Sequence, residues 1–216
     1  MQTTLTLVRH GHTLWNGMGR YQGHAPTPLS ERGQAQAGYL ARAIAGDETI
    51  TALYSSDLLR CRQTVAPLAD ALGLPVVYDA RFRETDYGHW QGLSRDEIAA
   101  YDPVHNDAFR ADPFYVIIPG GESYGQVAAR VLAGLDDVLV AHSGEHVLLV
   151  LHGGPIREIL RHFDLWGGGL PSGNASRTVL AVVSGGRAAA LRVASDVSHL
   201  PPELRPDADG IAFLTA

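Results

Sequence analysis

The chain has 216 residues, 45% of them hydrophobic and 19% charged, and a formal net charge of −6. That composition fits one soluble globular domain or one domain with a small cap, and it disfavours a nucleic-acid or acidic-membrane surface. All 17 basic residues are arginine, which excludes a P-loop lysine, a kinase lysine and any Schiff-base mechanism.

The first informative stretch is residues 5–16, LTLVRHGHTLWN. Four β-prone residues run into Arg9, His10 and Gly11, the pattern of a buried strand that delivers polar groups to a turn. Residues 17–28 are rich in glycine, proline and small polar types and read as a loop. Ser30 is a candidate N-cap for a helix over 31–45. A second strand is expected over 51–55. Asp57 is then expected to cap the helix carrying Arg60 and Arg62, with Pro67 kinking or interrupting it and Gly73 at its end. A short third strand, 75–78, leads into a loop with Arg83 and Glu84.

Ser94 with Glu97 forms a capping box for a short helix. From 101 to 119 the periodicity breaks down between two Asp-Pro pairs, and residues 94–121 are expected to form a cap insertion within a single domain spanning 1–216. Ser123 with Gln126 caps a long helix to about 142. Residues 147–151 are five consecutive apolar residues, the signature of a central strand buried on both faces. His152, Gly153 and Gly154 follow, with Pro155 in the first turn of the next helix. Residues 178–183 and 188–194 flank Gly185 and Gly186 as a hairpin. The proline-rich tail after Val197 is expected to wrap the surface.

Alternating strands and helices imply an α/β fold, a three-layer α/β/α sandwich on a mostly parallel sheet. The polar residues of interest all follow strands, where such sheets bind ligands. Arg9, His10, Arg60 and His152 would repel one another without an anion, and phosphate is the economical one. A neutral imidazole at His10 can attack phosphorus, and a carboxyl at Glu84, or at Asp86 two residues on, can protonate the leaving group.

Taken together, Arg9-His10-Gly11 with Trp15-Asn16, the run SSDLLRCRQT over 55–64, Arg83-Glu84 and Leu151-His152-Gly153-Gly154 resemble the histidine phosphatase superfamily, in its phosphoglycerate-mutase-like branch. The resemblance implies that His10 is the phosphorylated nucleophile. It implies that Arg9, Asn16, Arg60 and His152 bind the phosphoryl group and that Glu84 donates the proton. Thr13, Gln22, Gly23 and the backbone of Gly153 are then further substrate contacts.

The chain departs from the family pattern at His12, where glutamate is usual, at Thr27, where aspartate is usual, and at Cys61, a common alanine. Cofactor-dependent mutases carry a longer basic insertion after the acid. Here only Arg95 and Arg110 are basic between 95 and 121, which favours hydrolysis. A mutase and a non-catalytic phosphate-binding relative remain the alternatives.

His10 and His12 have a rival reading as a metal pair completed by His24 or His89. Arg9 beside a divalent cation disfavours it, so no metal and no cofactor are expected. One cysteine allows no intrachain disulfide and fits the cytoplasm. No apolar run is long enough for a membrane span, and no signal-peptide pattern opens the chain. A first strand that starts almost at Met1 is expected to mark the native start. The expected partner is a small-molecule phosphate ester, with no nucleic acid and no membrane; a homodimer is left open.

Overall fold

A computed structural model describes residues 1–167, 173–183, 185 and 188–205. Among these, six strands form one sheet in the order β3-β2-β4-β1-β5-β6. The strands are β1 (Gln2–Arg9), β2 (Ile50–Ser55), β3 (Val76–Tyr78), β4 (His146–Leu151), β5 (Arg177–Val183) and β6 (Ala189–Asp196). The pairs from β3 to β1 are parallel, and β5 and β6 add to β1 antiparallel. The expected hairpin is therefore present, although Gly186 lies outside the described residues.

The helices are α1 (Leu14–Gly17), α2 (Glu31–Ile44), α3 (Leu59–Leu72), α4 (Arg95–Tyr101), α5 (Pro103–Ala111), α6 (Tyr124–Ala141) and α7 (Gly153–His162). Strand alternation sorts the core into two layers. Val147, Leu149 and Leu151 face α6 and α7 with Val131, Leu135 and Ile159. Leu148 and Val150 face α2 and α3 with Leu40, Val65 and Leu68. All five apolar residues of β4 are fully buried, as expected of a strand covered by helices on both sides. Truncating one of them, such as Leu149→Ala, would cost about 2–5 kcal/mol.

Local chemistry sets the helix starts. Ser30 Oγ accepts from the Gly33 N–H, and Ser94 and Ser123 each form a reciprocal capping box. Gly73 ends α3 in the left-handed conformation.

Three expectations need correction. Asp57 does not cap α3, whose N-cap is Leu58 with no side-chain bond. Its carboxylate instead accepts from Arg83 Nε at 2.6 Å, so the cap does not form. Helix α3 continues through Pro67, so the proline does not interrupt it, and Val65 and Leu68 on either side are buried in the core. The 101–119 segment is irregular only from 112 on, since Pro103–Ala111 is a helix. Asp102 caps α5 and Pro103 occupies its first turn, so the Asp-Pro pair begins a helix. Between α4, α5 and the start of α6, Trp90, Ile98, Phe109, Ile118 and Tyr124 make a separate small core. After Val197 the chain reaches back to α2, where Gln36 Nε2 donates to the Leu204 carbonyl at 2.7 Å; the tail from 206 lies outside the described residues.

Candidate active site

Strand register builds the centre of the site. Arg9 pairs with Leu151 across β1 and β4, and Ser55 with Val150 across β2 and β4. The next residues therefore emerge side by side at the carboxyl edge: His10 from β1, Ser56 from β2 and His152 from β4. The His10 and His152 rings lie 5.1 Å apart, and both residues are buried.

Hydrogen bonds fix both tautomers. His10 Nδ1 lies 2.7 Å from the Gly11 carbonyl. A carbonyl only accepts, so Nδ1 carries the proton and Nε2 keeps its lone pair. Burial, and then the charges of Arg60 and Arg9, hold the His10 pKa well below its ordinary value. At neutral pH this ring is uncharged, with Nε2 free of that bond.

His152 Nδ1 accepts from Arg60 Nε at 3.2 Å, which leaves Nε2 to donate to Ser56 Oγ at 2.9 Å. Burial, then Arg60 and His10, depress its pKa likewise. Arg60 projects from the first turn of α3 and is 1% exposed. Its Nη2 donates to the Gly23 carbonyl at 2.8 Å. Burial also lowers the pKa of Arg9. Desolvated cations and neutral imidazoles at one point are costly to assemble and suit an incoming anion.

The loop after β1 is tied down from two sides. The Gly11 N–H donates to Thr64 Oγ1 of α3 at 3.0 Å. Asn174 Nδ2 donates to the His10 carbonyl at 3.1 Å. Asn16 Oδ1 receives the Thr13 N–H, the Thr13 hydroxyl and Asn174 Nδ2. Three donors on one oxygen set the amide orientation and turn the Asn16 NH₂ to its other side. Thr13 is fully buried and caps α1. Gln22 is buried and accepts from Thr27 Oγ1 at 2.6 Å, so Thr27 holds Gln22 beside Gly23.

Glu84 comes from the loop after β3 and meets the N-terminus of α7. Its Oε1 accepts the Gly154 N–H at 3.1 Å and the Thr85 N–H at 2.9 Å. A helix N-terminus is a natural seat for a carboxylate. The approach needs glycine, since a Cβ on residue 154 would come within 2.2 Å of Oε1. Asp86, the rival acid, is engaged elsewhere: it accepts the Gly88 N–H at 2.9 Å and lies 3.6 Å from His24. Gly153 opens α7 next to His152, its N-cap.

Of the residues singled out by sequence, the structure gathers His10, Arg9, Arg60, His152, Asn16, Thr13, Gln22, Gly23, Gly153 and Glu84 around the carboxyl edge of the sheet. His12 turns away. Its Nδ1 meets Ser30 Oγ at 2.8 Å at the start of α2, so the two rings of the His10-x-His12 pair have different partners. Cys61 is fully buried under His152, and burial pushes its thiol up to about 12, which makes it inert. Among the described residues no group of three or more His, Cys, Asp or Glu could hold a metal.

Three contributors escaped the sequence reading, and a fourth, His24, was read only as a possible metal ligand. Ser56 and Asn174 orient His152 and His10. Arg130 of α6 donates to the Arg81, Arg83 and Glu84 carbonyls at 2.6–2.8 Å and pairs with Glu122 at 2.8 Å. His24 Nε2 also donates to the Glu84 carbonyl, at 2.8 Å. Arg130, a lone cation among apolar residues of a long helix, was the one signal available.

A family model described as histidine phosphatase superfamily (branch 1) matches residues 5–194. A metal-independent phosphoserine phosphatase of Arabidopsis thaliana is 38% identical over 159 residues, 73% of this chain and 67% of that protein. Phosphoglycerate mutase-like protein 4 of Arabidopsis thaliana is 36% identical over 72% of this chain and 68% of its own length. Some mycobacterial relatives are longer, and the match spans 43% of them. Among solved structures, mycobacterial glucosyl-3-phosphoglycerate phosphatase superposes with a TM-score of 0.79 at 32% identity, over 90% of this chain and 99% of that one. Among the described residues no helix is long and apolar enough to cross a membrane.

Proposed function

Because this chain belongs to the histidine phosphatase superfamily, branch 1, we propose that it hydrolyses a small organic phosphate monoester through a phosphohistidine on His10. The observation that carries the reading is the His10 ring, buried and uncharged, with Nδ1 bound to Gly11 and Nε2 left to react. In the first step the Nε2 lone pair forms the N–P bond while the P–O bond to the alcohol breaks. Glu84 gives its proton to the departing alkoxide. In the second step water attacks phosphorus, the Glu84 carboxylate takes the water proton, and the N–P bond breaks to release inorganic phosphate. Arg9, Arg60, His152 and the Asn16 amide neutralise and orient the phosphoryl oxygens. Thr13, Gln22, Gly23 and the Gly153 backbone shape the entrance.

The similarity to a phosphoserine phosphatase and to a glucosyl-3-phosphoglycerate phosphatase supports hydrolysis of small phosphate esters. Substrate esters of small hydroxy and amino acids are therefore the first to test. The experiment is a phosphate-ester panel with and without EDTA, read as inorganic phosphate. Release that persists in EDTA and vanishes in His10→Ala is expected. Conversion of 3-phosphoglycerate to 2-phosphoglycerate without phosphate release would make the protein a mutase instead.

A further inference from the structure

We infer that Gln36 is a positioning residue for the nucleophile: its side-chain amide carries a hydrogen-bond chain that runs from the Leu204 carbonyl to His10 Nδ1. The inference rests on the reading of His10 as the attacking group. The chain passes through one peptide unit. His10 Nδ1 donates to the Gly11 carbonyl at 2.7 Å, which also receives Asn174 Nδ2 at 3.4 Å. The N–H of that same peptide group, carried by His12, donates to Gln36 Oε1 at 2.8 Å. Gln36 Nε2 in turn donates to the Leu204 carbonyl at 2.7 Å. The two partners fix the amide's orientation, because a flip would set N–H against N–H and oxygen against oxygen.

Helix α2 reaches this loop because neither surface carries a side chain where they meet. A Cβ on Gly33 would lie 2.0 Å from the His12 carbonyl oxygen, and one on Gly11 would lie 2.6 Å from the Gly33 carbonyl oxygen. Gln36 stands three residues after Gly33, on the same face of α2, and is buried. Its other partner comes from the C-terminal segment, in the helical turn Pro202–Leu204. That turn is held in place by Arg205 Nε, which donates to the carbonyl of the buried Leu200 at 3.0 Å, and by Arg32 Nη2, which donates to the Arg205 carbonyl. Hydrogen bonds in series polarise one another. Each acceptor makes the next oxygen in the chain more negative, so the His10 Nδ1–H is drawn harder to Gly11 and Nε2 gains electron density. The same bonds hold the ring at a fixed angle to the phosphoryl side.

The test is NMR of the whole protein together with rapid-quench kinetics on p-nitrophenyl phosphate. In ¹³C,¹⁵N-labelled wild-type protein, couplings across the hydrogen bonds should link His12 N to Gln36 Cδ and His10 Nδ1 to Gly11 C′. Absence of either coupling overturns the chain before any substitution is made. Gln36→Met keeps the stem and removes both amide bonds. Its His10 Nδ1–H resonance should move upfield, and its p-nitrophenolate burst rate should fall about tenfold, the worth of one hydrogen bond, with substrate affinity unchanged. Gln36→Glu still offers an oxygen to the His12 N–H in either protonation state, so it should restore both the resonance and the burst rate. An unmoved resonance or an undiminished burst in Gln36→Met would overturn the proposal. So would loss of both signals in Gln36→Glu, whether or not Gln36→Met folds, because the role would then be packing alone. The resonance is read without substrate, so the two readings fail separately: a burst that persists in His10→Ala would refute His10 as the nucleophile and leave the resonance result standing.

Discussion

The Glu84 carboxylate sits 3.1 Å from the backbone N–H of Gly154, so the candidate proton donor and the helix that begins beside His152 are locked to each other. The contact depends on the missing side chain at residue 154. Gly154→Ala should leave the fold intact, because the displaced atom is the mobile end of a carboxylate and alanine suits a helix. It should lower kcat on alkyl phosphates about 10- to 100-fold by shifting the acid. Thermal unfolding and steady-state kinetics on the same sample check both halves; an unchanged kcat would remove the contact from the mechanism.

If Glu84 acts as the acid, its importance must follow the leaving group. Glu84→Gln should reduce kcat on alkyl phosphates by about 10²–10⁴. With p-nitrophenyl phosphate the first step needs no proton, but water activation still needs the Glu84 carboxylate as base. Rapid-quench experiments should then show a burst of p-nitrophenolate followed by slow turnover. Equal losses in the first step for both esters would transfer the role away from Glu84.

Arg130 touches no reacting atom; it clamps the loop that presents Glu84 to α6. Arg130→Met keeps the stem and removes the three carbonyl contacts. The expected result is about a tenfold loss of kcat on alkyl phosphates with a smaller loss in p-nitrophenolate burst rate, and an altered pH profile. A uniform loss across both esters, with an unaltered profile, would mean that Arg130 serves stability alone.

Buried neutral histidines also tie stability to pH. His10 and His152 have folded-state pKa values well below the ordinary 6.5. In the window between those values and 6.5 the unfolded chain binds protons that the folded chain does not. Stability therefore rises with pH through that window and falls as acid is added below about 6.5, by up to about 1.4 kcal/mol per pH unit for each histidine. Denaturant unfolding at pH 7, 6 and 5 should show this slope, and His10→Gln should flatten it by about one histidine's share. An identical slope in the variant would contradict the assigned direction.

Much of this arrangement can be read from the chain alone because it follows strand ends. A buried run such as 147–151 announces a central strand, and a polar residue right after it must stand at the sheet's carboxyl edge. His10, Arg60, His152 and Glu84 could be grouped by that rule, and their motif order pointed to the superfamily. Asn174 could not, since it acts on His10 across 164 residues and sits in a glycine- and serine-rich loop without periodicity. Ser56 carried no signal of its own, because its partner, His152, is reached only after β2 and β4 pair. Helix α5 was obscured because Asp102-Pro103 reads as a break, whereas the same two residues also make a cap and a first turn. His12 was conspicuous in the motif, yet its Nδ1 meets Ser30 Oγ at the start of α2.

The central claim is that phosphorus bonds to His10 Nε2. Acid-free quenching of a reaction with ³²P-labelled ester, followed by peptide mapping under alkaline conditions, measures it most directly. The account predicts one acid-labile, alkali-stable phosphate on the peptide containing His10, formed and lost at rates compatible with turnover and missing from His10→Ala. Active enzyme with no phosphorylated peptide, or with the label on another residue, would contradict it.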